Sequence, residues 1–156
     1  GNAMRVLGKP LGTLVIILDI VKVLLSFGIV TFIGRLFKQD TEIVLKSVFT
    51  VATVFGHCFP IYYGLRGGKG IIVGIVTAFL LDNKVALVCI IVGGVVILAT
   101  RTVAMGTLSG LGLYVLMTII MMPKYIVPII IISCIVMFKH RANIQRMIAK
   151  QETKLW

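Results

Sequence analysis

Acidic side chains are nearly missing from this chain: five Asp and Glu stand against 16 Lys and Arg among 156 residues, for a formal net charge of +11. A site that works through a phosphate-bridging divalent cation normally devotes one or two carboxylates to the ion. With Asp19, Asp40, Glu42, Asp82 and Glu152 as the whole supply, no metal is expected. Cysteine is equally thin. Cys58, Cys89 and Cys134 are odd in number and lack metal-ligand spacing, which excludes a disulfide framework and a zinc site. Two of them lie in apolar runs, where a small buried hydrophobe is the ordinary reading. Histidine occurs only at positions 57 and 140. Low-complexity linkers and internal repeats are absent, so a chain of separate modules is excluded.

Apolar residues are what the chain has in excess. At 59% hydrophobic and 13% charged, with a mean hydropathy of +1.11, it is far too apolar for an ordinary soluble domain. Six apolar elements with short connections predict an all-α integral membrane protein, a polytopic helical bundle. Leu11 to Ile33 and Val103 to Met122 reach the roughly 20 residues that cross a bilayer, and Val85 to Ala99 is slightly short. Ile43 to Phe59, Ile71 to Leu81 and Tyr125 to Phe138 are shorter still. They must borrow flanking residues or form partial helices lining a protein-buried site. Asp19 and Lys22 interrupt the first run at a spacing of three, which lets them pair on one helix face, and a structural ion pair is the reading favoured.

The distribution of positive charge matters more than its total, and it argues against a nucleic-acid partner. Alternate connections place Arg5, Lys9, Arg66, Lys69, Arg101, Lys139, Arg141, Arg146, Lys150 and Lys154 on one side, ten against the four of Arg35, Lys38, Lys84 and Lys124. By the positive-inside tendency the ten-residue side is cytoplasmic. No two of the carboxylates fall on that side. Beyond Lys139 the chain becomes basic and amphipathic: Lys139, Asn143, Arg146, Lys150 and Lys154 form a polar stripe, with Ile144, Met147 and Ile148 opposite. This divides a single domain into a helical bundle over 1–138 and a cytoplasmic segment over 139–156, which composition alone would make an anchor for acidic lipids.

One stretch on the basic side carries phosphate-binding residue types. Gly56-His57-Cys58-Phe59-Pro60 is followed after six residues by Gly67-Gly68-Lys69-Gly70. Glycines let a backbone turn tightly and aim N–H groups at an anion, lysine adds a full charge, and histidine can donate or exchange a proton. A Walker A nucleotide loop is excluded by spacing, because Tyr63 stands where its first glycine would be and Gly70 where its hydroxyl would be.

The stretch resembles, spacing for spacing, the second signature of the bacterial acyl-phosphate:glycerol-3-phosphate acyltransferases, the PlsY family. Two further blocks agree. Asn2, Arg5, Gly8 and Lys9 are similar to the end of its first signature, and His140, Arg141, Asn143, Ile144, Arg146 and Glu152 to its C-terminal His-Arg-x-Asn-Ile-x-Arg block and the acid beyond it. The intact family pattern has about seven spans and places one of them, with the Ser- and Gly-rich front of the first signature, ahead of Gly1. The chain departs from the pattern at Ile71-Ile72-Val73, where Val-Ala-Thr is common, and at Thr102 and Ala104, which replace a tyrosine and a serine; Thr107 offers a nearby hydroxyl.

The resemblance implies transfer of a fatty acyl group from acyl phosphate to the sn-1 hydroxyl of glycerol 3-phosphate, giving lysophosphatidic acid and phosphate. The setting implied is the cytoplasmic face of a bacterial plasma membrane, with neither a cofactor nor an obligate protein partner. It assigns catalytic positions to His57, Lys69 and His140, and substrate or phosphate contacts to Asn2, Arg5, Gly67, Gly68, Gly70, Arg101, Arg141 and Asn143. A His-x-x-x-x-Asp base is excluded, since Tyr62 and Gln145 stand five residues after the two histidines. The alternative is a noncatalytic membrane protein of the same fold that binds anionic lipids; a small transporter would account for the intramembrane charges but not for the one-sided basic motifs.

Overall fold

The computed structural model describes residues 2–36 and 42–155, with side chains described for 8–36 and 42–155. Helix α1 runs over Asn2–Leu36 and is broken at Gly8, whose φ of 80° and ψ of 170° lie outside helical space. Pro10 follows, and its missing N–H suits the first turn of the helix that restarts there. Then come α2 (Glu42–Cys58), α3 (Ile71–Leu81), α4 (Asn83–Thr100), α5 (Val103–Met121), α6 (Ile126–Lys139) and α7 (Arg141–Ile148). Every apolar element expected from the sequence is a helix.

Among the described residues four helices are long and apolar enough to cross a membrane, and the number is five if Pro123–Lys139 and α7, bent by 59° to each other, are counted as one span. The segment read as slightly short, Val85 to Ala99, gains length from its ends. Asp82 caps α4 by accepting from the N–H groups of Lys84 and Val85, both at 3.0 Å, so the helix reaches 18 residues. At 11 residues α3 is only about 16 Å long, a partial helix as expected.

Outward-facing residues such as Leu25, Phe32, Leu98 and Ile120 are apolar and exposed, as a lipid-facing surface requires. Val23, Val54, Val73, Val85 and Ile129 are fully buried in the core. The tightest pairing is α4 on α5, where small residues let the backbones touch. A Cβ on Gly93 would lie 2.9 Å from the Gly106 carbonyl oxygen, and one on Gly110 3.1 Å from that of Cys89.

Candidate active site

The chain turns out of α2 at Pro60, passes a 3-10 turn over Ile61–Tyr63, and reverses through Gly64 and Leu65, both with φ near +60°. It then folds back onto the helix it has just left. Gly67 N–H donates to the Cys58 carbonyl and Gly68 N–H to the His57 carbonyl, each at 3.2 Å. These bonds satisfy carbonyls that a helix end leaves without partners. The glycine N–H groups expected to face a phosphate therefore cap α2 at these two positions. The outward-pointing donors lie one step later: Gly70, at φ +80°, starts α3, and the first turn's N–H groups at Ile71, Ile72 and Val73 have no carbonyl of their own helix to bond.

Lys69 sits half-buried at the entrance to α3, and its Nζ donates to Asn143 Oδ1 at 2.6 Å, across 74 residues of sequence. Asn143 in turn donates from Nδ2 to Glu152 Oε1 at 2.6 Å, and Arg146 Nε donates to Glu152 Oε2 at 2.8 Å. The polar stripe of the last segment thus turns inward at Asn143, which is buried. Lys139, read as part of the same stripe, leaves it: its Nζ donates to the Cys58 carbonyl at 2.8 Å and lies 4.8 Å from the Phe59 ring centre. The segment after Glu152 returns to the α4–α5 corner, where Leu155 N–H donates to the Arg101 carbonyl at 2.8 Å.

The two histidines lie at the ends of different helices, His57 in the last turn of α2 and His140 between α6 and α7. His57 packs its ring against Gly68, so closely that a Cβ there would overlap Nε2. Its Nδ1 lies 2.8 Å from Lys22 Nζ and 3.5 Å from Asp19 Oδ1, while Lys22 holds Asp19 at 2.5 Å. Lys22 and Asp19 both face Nδ1, so the pair holds the ring with Nε2 toward Gly68. The Asp19–Lys22 pair expected from the sequence is present, and through Lys22 it also holds His57. It also brings a second carboxylate, Asp19, to a site where only Glu152 was expected. His140 is buried at the α6–α7 bend, with Nδ1–H donating to the Val136 carbonyl at 2.8 Å.

Of the remaining assigned residues, Arg141 turns back over Phe138, its guanidinium 4.3 Å from the ring centre and Nη1 donating to the Phe138 carbonyl at 3.0 Å. Arg101 is exposed at the end of α4 with φ +58°. The replacement hydroxyls are engaged locally: Thr102 donates to the Thr100 carbonyl and Thr107 to that of Val103. Asn2 and Arg5 lie outside the residues whose side chains are described. Lys22, Asp19, Lys139 and Arg146, the last already quoted in the C-terminal block, were given no site role from the sequence, yet they contact His57, the Cys58 carbonyl and Glu152. Only the charges inside an apolar run signalled the first two.

Burial pushes His140 below the ordinary histidine range, and Lys69 adds to the shift, against the opposing Val136 hydrogen bond and Glu152 charge. Burial would raise Glu152, but its bonds to Arg146 and Asn143 and the charges of Arg146 and Lys69 hold it below the ordinary carboxylate range. Both folded values are depressed, so both groups contribute stability above their unfolded values, 6.5 and 4.5, that is lost on acidification. The unfolding temperature in detergent is expected to be level from pH 8 to about 7 and to fall first through the histidine range, then through the carboxylate range. In Glu152→Gln the second fall should shrink. An unfolding temperature unchanged down to pH 4 would contradict this.

These features define a membrane-embedded helical bundle with a cation-rich, phosphate-suited loop at one end. Residues 1–150 match the family model described as glycerol-3-phosphate acyltransferase. The chain is 30% identical over 156 residues to the glycerol-3-phosphate acyltransferase of Thermoanaerobacter sp. (strain X514), covering 99% of this chain and 75% of that one. It is 28% identical over 155 residues to that of Clostridioides difficile (strain 630), with 99% and 76% covered. Two crystal structures of PlsY (YgiH), an integral membrane glycerol 3-phosphate acyltransferase, are similar to it throughout. The glycerol 3-phosphate form aligns with a TM-score of 0.84 and the lysophosphatidic acid form with 0.83, each at 27% identity and over 99% of this chain, covering 76% and 78% of those chains. The chain belongs to the glycerol-3-phosphate acyltransferase family.

Proposed function

We propose that residues 1–156 form one membrane acyltransferase domain that moves a fatty acyl group from acyl phosphate to the sn-1 hydroxyl of glycerol 3-phosphate. The observation that carries this reading is the Lys69–Asn143–Glu152 chain, which draws the second and third signature blocks into one cation-bearing site at the start of α3. An acyl phosphate is already an activated anhydride, so the main task is to hold two anions with the hydroxyl against the carbonyl. Lys69 and the first-turn N–H groups of α3 bind phosphate charge, Arg5, Arg101 and Arg141 supply further cationic contacts, and Asn2 and Asn143 supply polar ones. Gly67 and Gly68 fix the loop's path and Gly70 its entry into α3.

In the reaction the glycerol oxygen forms a bond to the acyl carbon, and the bond from that carbon to the phosphate oxygen breaks. The hydroxyl proton passes to a phosphate oxygen of the substrates, and phosphate leaves. His57, held by Lys22 and Asp19 with Nε2 toward Gly68, and His140, buried at the α6–α7 bend, position phosphate groups instead of acting as the base. Lysophosphatidic acid and phosphate are the products. The ten-to-four division of basic residues supports a site facing the cytoplasm across a bacterial plasma membrane, and the basic segment 139–156 lies on the same side.

Donor choice tests the proposal. Purified protein in lipid is expected to make lysophosphatidic acid from acyl phosphate, to fail with acyl-coenzyme A, and to keep its rate in a chelator, since Asp19 and Glu152 are each already bound to cationic groups. Equal turnover of acyl-coenzyme A, or full metal dependence, would overturn it.

A further inference from the structure

Among the described residues three other than glycine hold a positive φ: Leu65, Arg101 and Lys150. A Cβ makes that region costly, and such backbone persists where surrounding contacts enforce it. Leu65 belongs to the reversal that returns the phosphate loop to α2, its N–H donating to the Pro60 carbonyl at 3.0 Å. Arg101 and Lys150 stand at the two ends of one further feature, a strap formed by residues 150–155.

The strap leaves α7 in a tight reversal. Lys150 takes φ +56°, its N–H donates to the Met147 carbonyl at 3.0 Å, and that of Gln151 donates to the Arg146 carbonyl at 2.7 Å, the paired bonds of a left-handed helix stop. Glu152 then pins the chain to Asn143 and Arg146. Three residues further on, the Leu155 N–H reaches the Arg101 carbonyl. A three-residue step spans at most about 11 Å. The bond therefore tethers the α4–α5 corner beside the Lys69–Asn143–Glu152 chain.

At that corner α4 ends on Arg101 itself, whose φ of 58° and ψ of 20° are left-handed and whose N–H donates to the Ile97 carbonyl at 2.7 Å. Every other hydrogen bond of residues 100–102 among the described residues is local: Thr100 bonds Val96, Thr102 bonds Thr100, and Gly106 bonds Thr102. Leu155 alone brings a donor from a distant part of the chain. The Arg101 guanidinium is exposed and pairs with no carboxylate among the described residues.

We propose that the strap positions Arg101 for the reaction: the Leu155 N–H holds the left-handed turn in which the Arg101 guanidinium meets a substrate phosphate. The proposal rests on the acyltransferase reading and on the place of Arg101 in it. Relaxing Arg101 to the right-handed region re-aims its side chain together with its carbonyl. Leu155 touches no substrate. It is a positioning residue that acts through its backbone, and its anchor at Glu152 ties the placement of Arg101 to the network that holds Lys69.

The test compares the wild type with Leu155→Pro, which deletes the N–H, Leu155→Ala, which keeps it, Arg101→Ala, and the Arg101→Ala/Leu155→Pro pair. A hydrogen bond of this kind is worth about fivefold in an equilibrium constant. Leu155→Pro should raise the KM for one substrate, glycerol 3-phosphate or acyl phosphate, about fivefold with kcat nearly kept. Arg101→Ala should raise the same KM by at least as much, and the KM that moves identifies the phosphate. Leu155→Ala should stay near the wild-type KM. The pair should be no worse than Arg101→Ala alone, because a missing guanidinium needs no placement. Losses that multiply in the pair, or equal rises in both KM values with kcat lost as well, mean a general structural role and overturn the proposal. A second readout needs no turnover: inorganic phosphate should raise the wild-type unfolding temperature, with an apparent affinity about fivefold weaker in both Leu155→Pro and Arg101→Ala. That pattern in a protein that transfers no acyl group supports the strap and removes the acyltransferase reading. Normal transfer with wild-type phosphate affinity in Leu155→Pro overturns the strap and spares that reading. Should Leu155→Pro fail to fold, amide exchange in the wild type decides. The Leu155 N–H should be protected, and more so with phosphate, whereas exchange at the open-chain rate overturns the proposal.

Discussion

Lys69→Ala is expected to lower acyl transfer roughly a hundredfold or more while the protein still inserts and folds. The lysine supplies the full positive charge at the start of α3, in a part-buried position where water screens it poorly. Removing a charge directed at developing negative charge in such a site costs on the order of 2 to 4 kcal/mol of transition-state stabilisation. Stability should change little, because Asn143 keeps its bond to Glu152 when the lysine is gone. The measurement is kcat/KM together with the unfolding temperature in the same detergent. Near-normal turnover, or a collapse of stability equal to the loss of activity, would remove this role from Lys69.

Gly67→Ala should be worse than Gly68→Ala, although the two glycines are neighbours. A Cβ at Gly67 overlaps the His57 carbonyl oxygen and lies 2.8 Å from that of Cys58. The two carbonyls are α2 backbone and the third obstacle, the rigid Pro60 ring at 2.5 Å, gives no more easily, so the loop itself must lift. That breaks the hydrogen bonds from Gly67 and Gly68, each contributing about 1 kcal/mol, and misplaces Lys69. Adding about 1 to 3 kcal/mol for overpacking, Gly67→Ala should lose several degrees of unfolding temperature and most of its activity. At Gly68 the obstacle is the His57 ring, a side chain that can swing away from Lys22. Folding should survive there, with activity down about tenfold. Equal stability losses in the two variants would contradict this account of the loop.

The helices were legible because apolar runs bounded by polar turns leave a membrane chain little choice of structure. The second and third signatures were legible as residue types at fixed spacings. How they meet was not, because the Lys69–Asn143 bond joins positions 74 residues apart and no local period encodes it. The Asp19–Lys22 pair shows where local reasoning stops: spacing of three places the two together, but their third member, His57, comes from another helix. For Gly67 and Gly68 residue type alone misdirects, since a glycine N–H suited to a phosphate is equally suited to capping a helix that the same turn brings back.

Phosphate release from a long-chain acyl phosphate, followed with and without glycerol 3-phosphate in purified, lipid-reconstituted protein, tests the central claim most directly. The account predicts release that rises with glycerol 3-phosphate, saturates, and matches the lysophosphatidic acid formed mole for mole. No release, or release indifferent to glycerol 3-phosphate, would contradict it and leave a membrane protein that binds anionic lipids without transferring their chains.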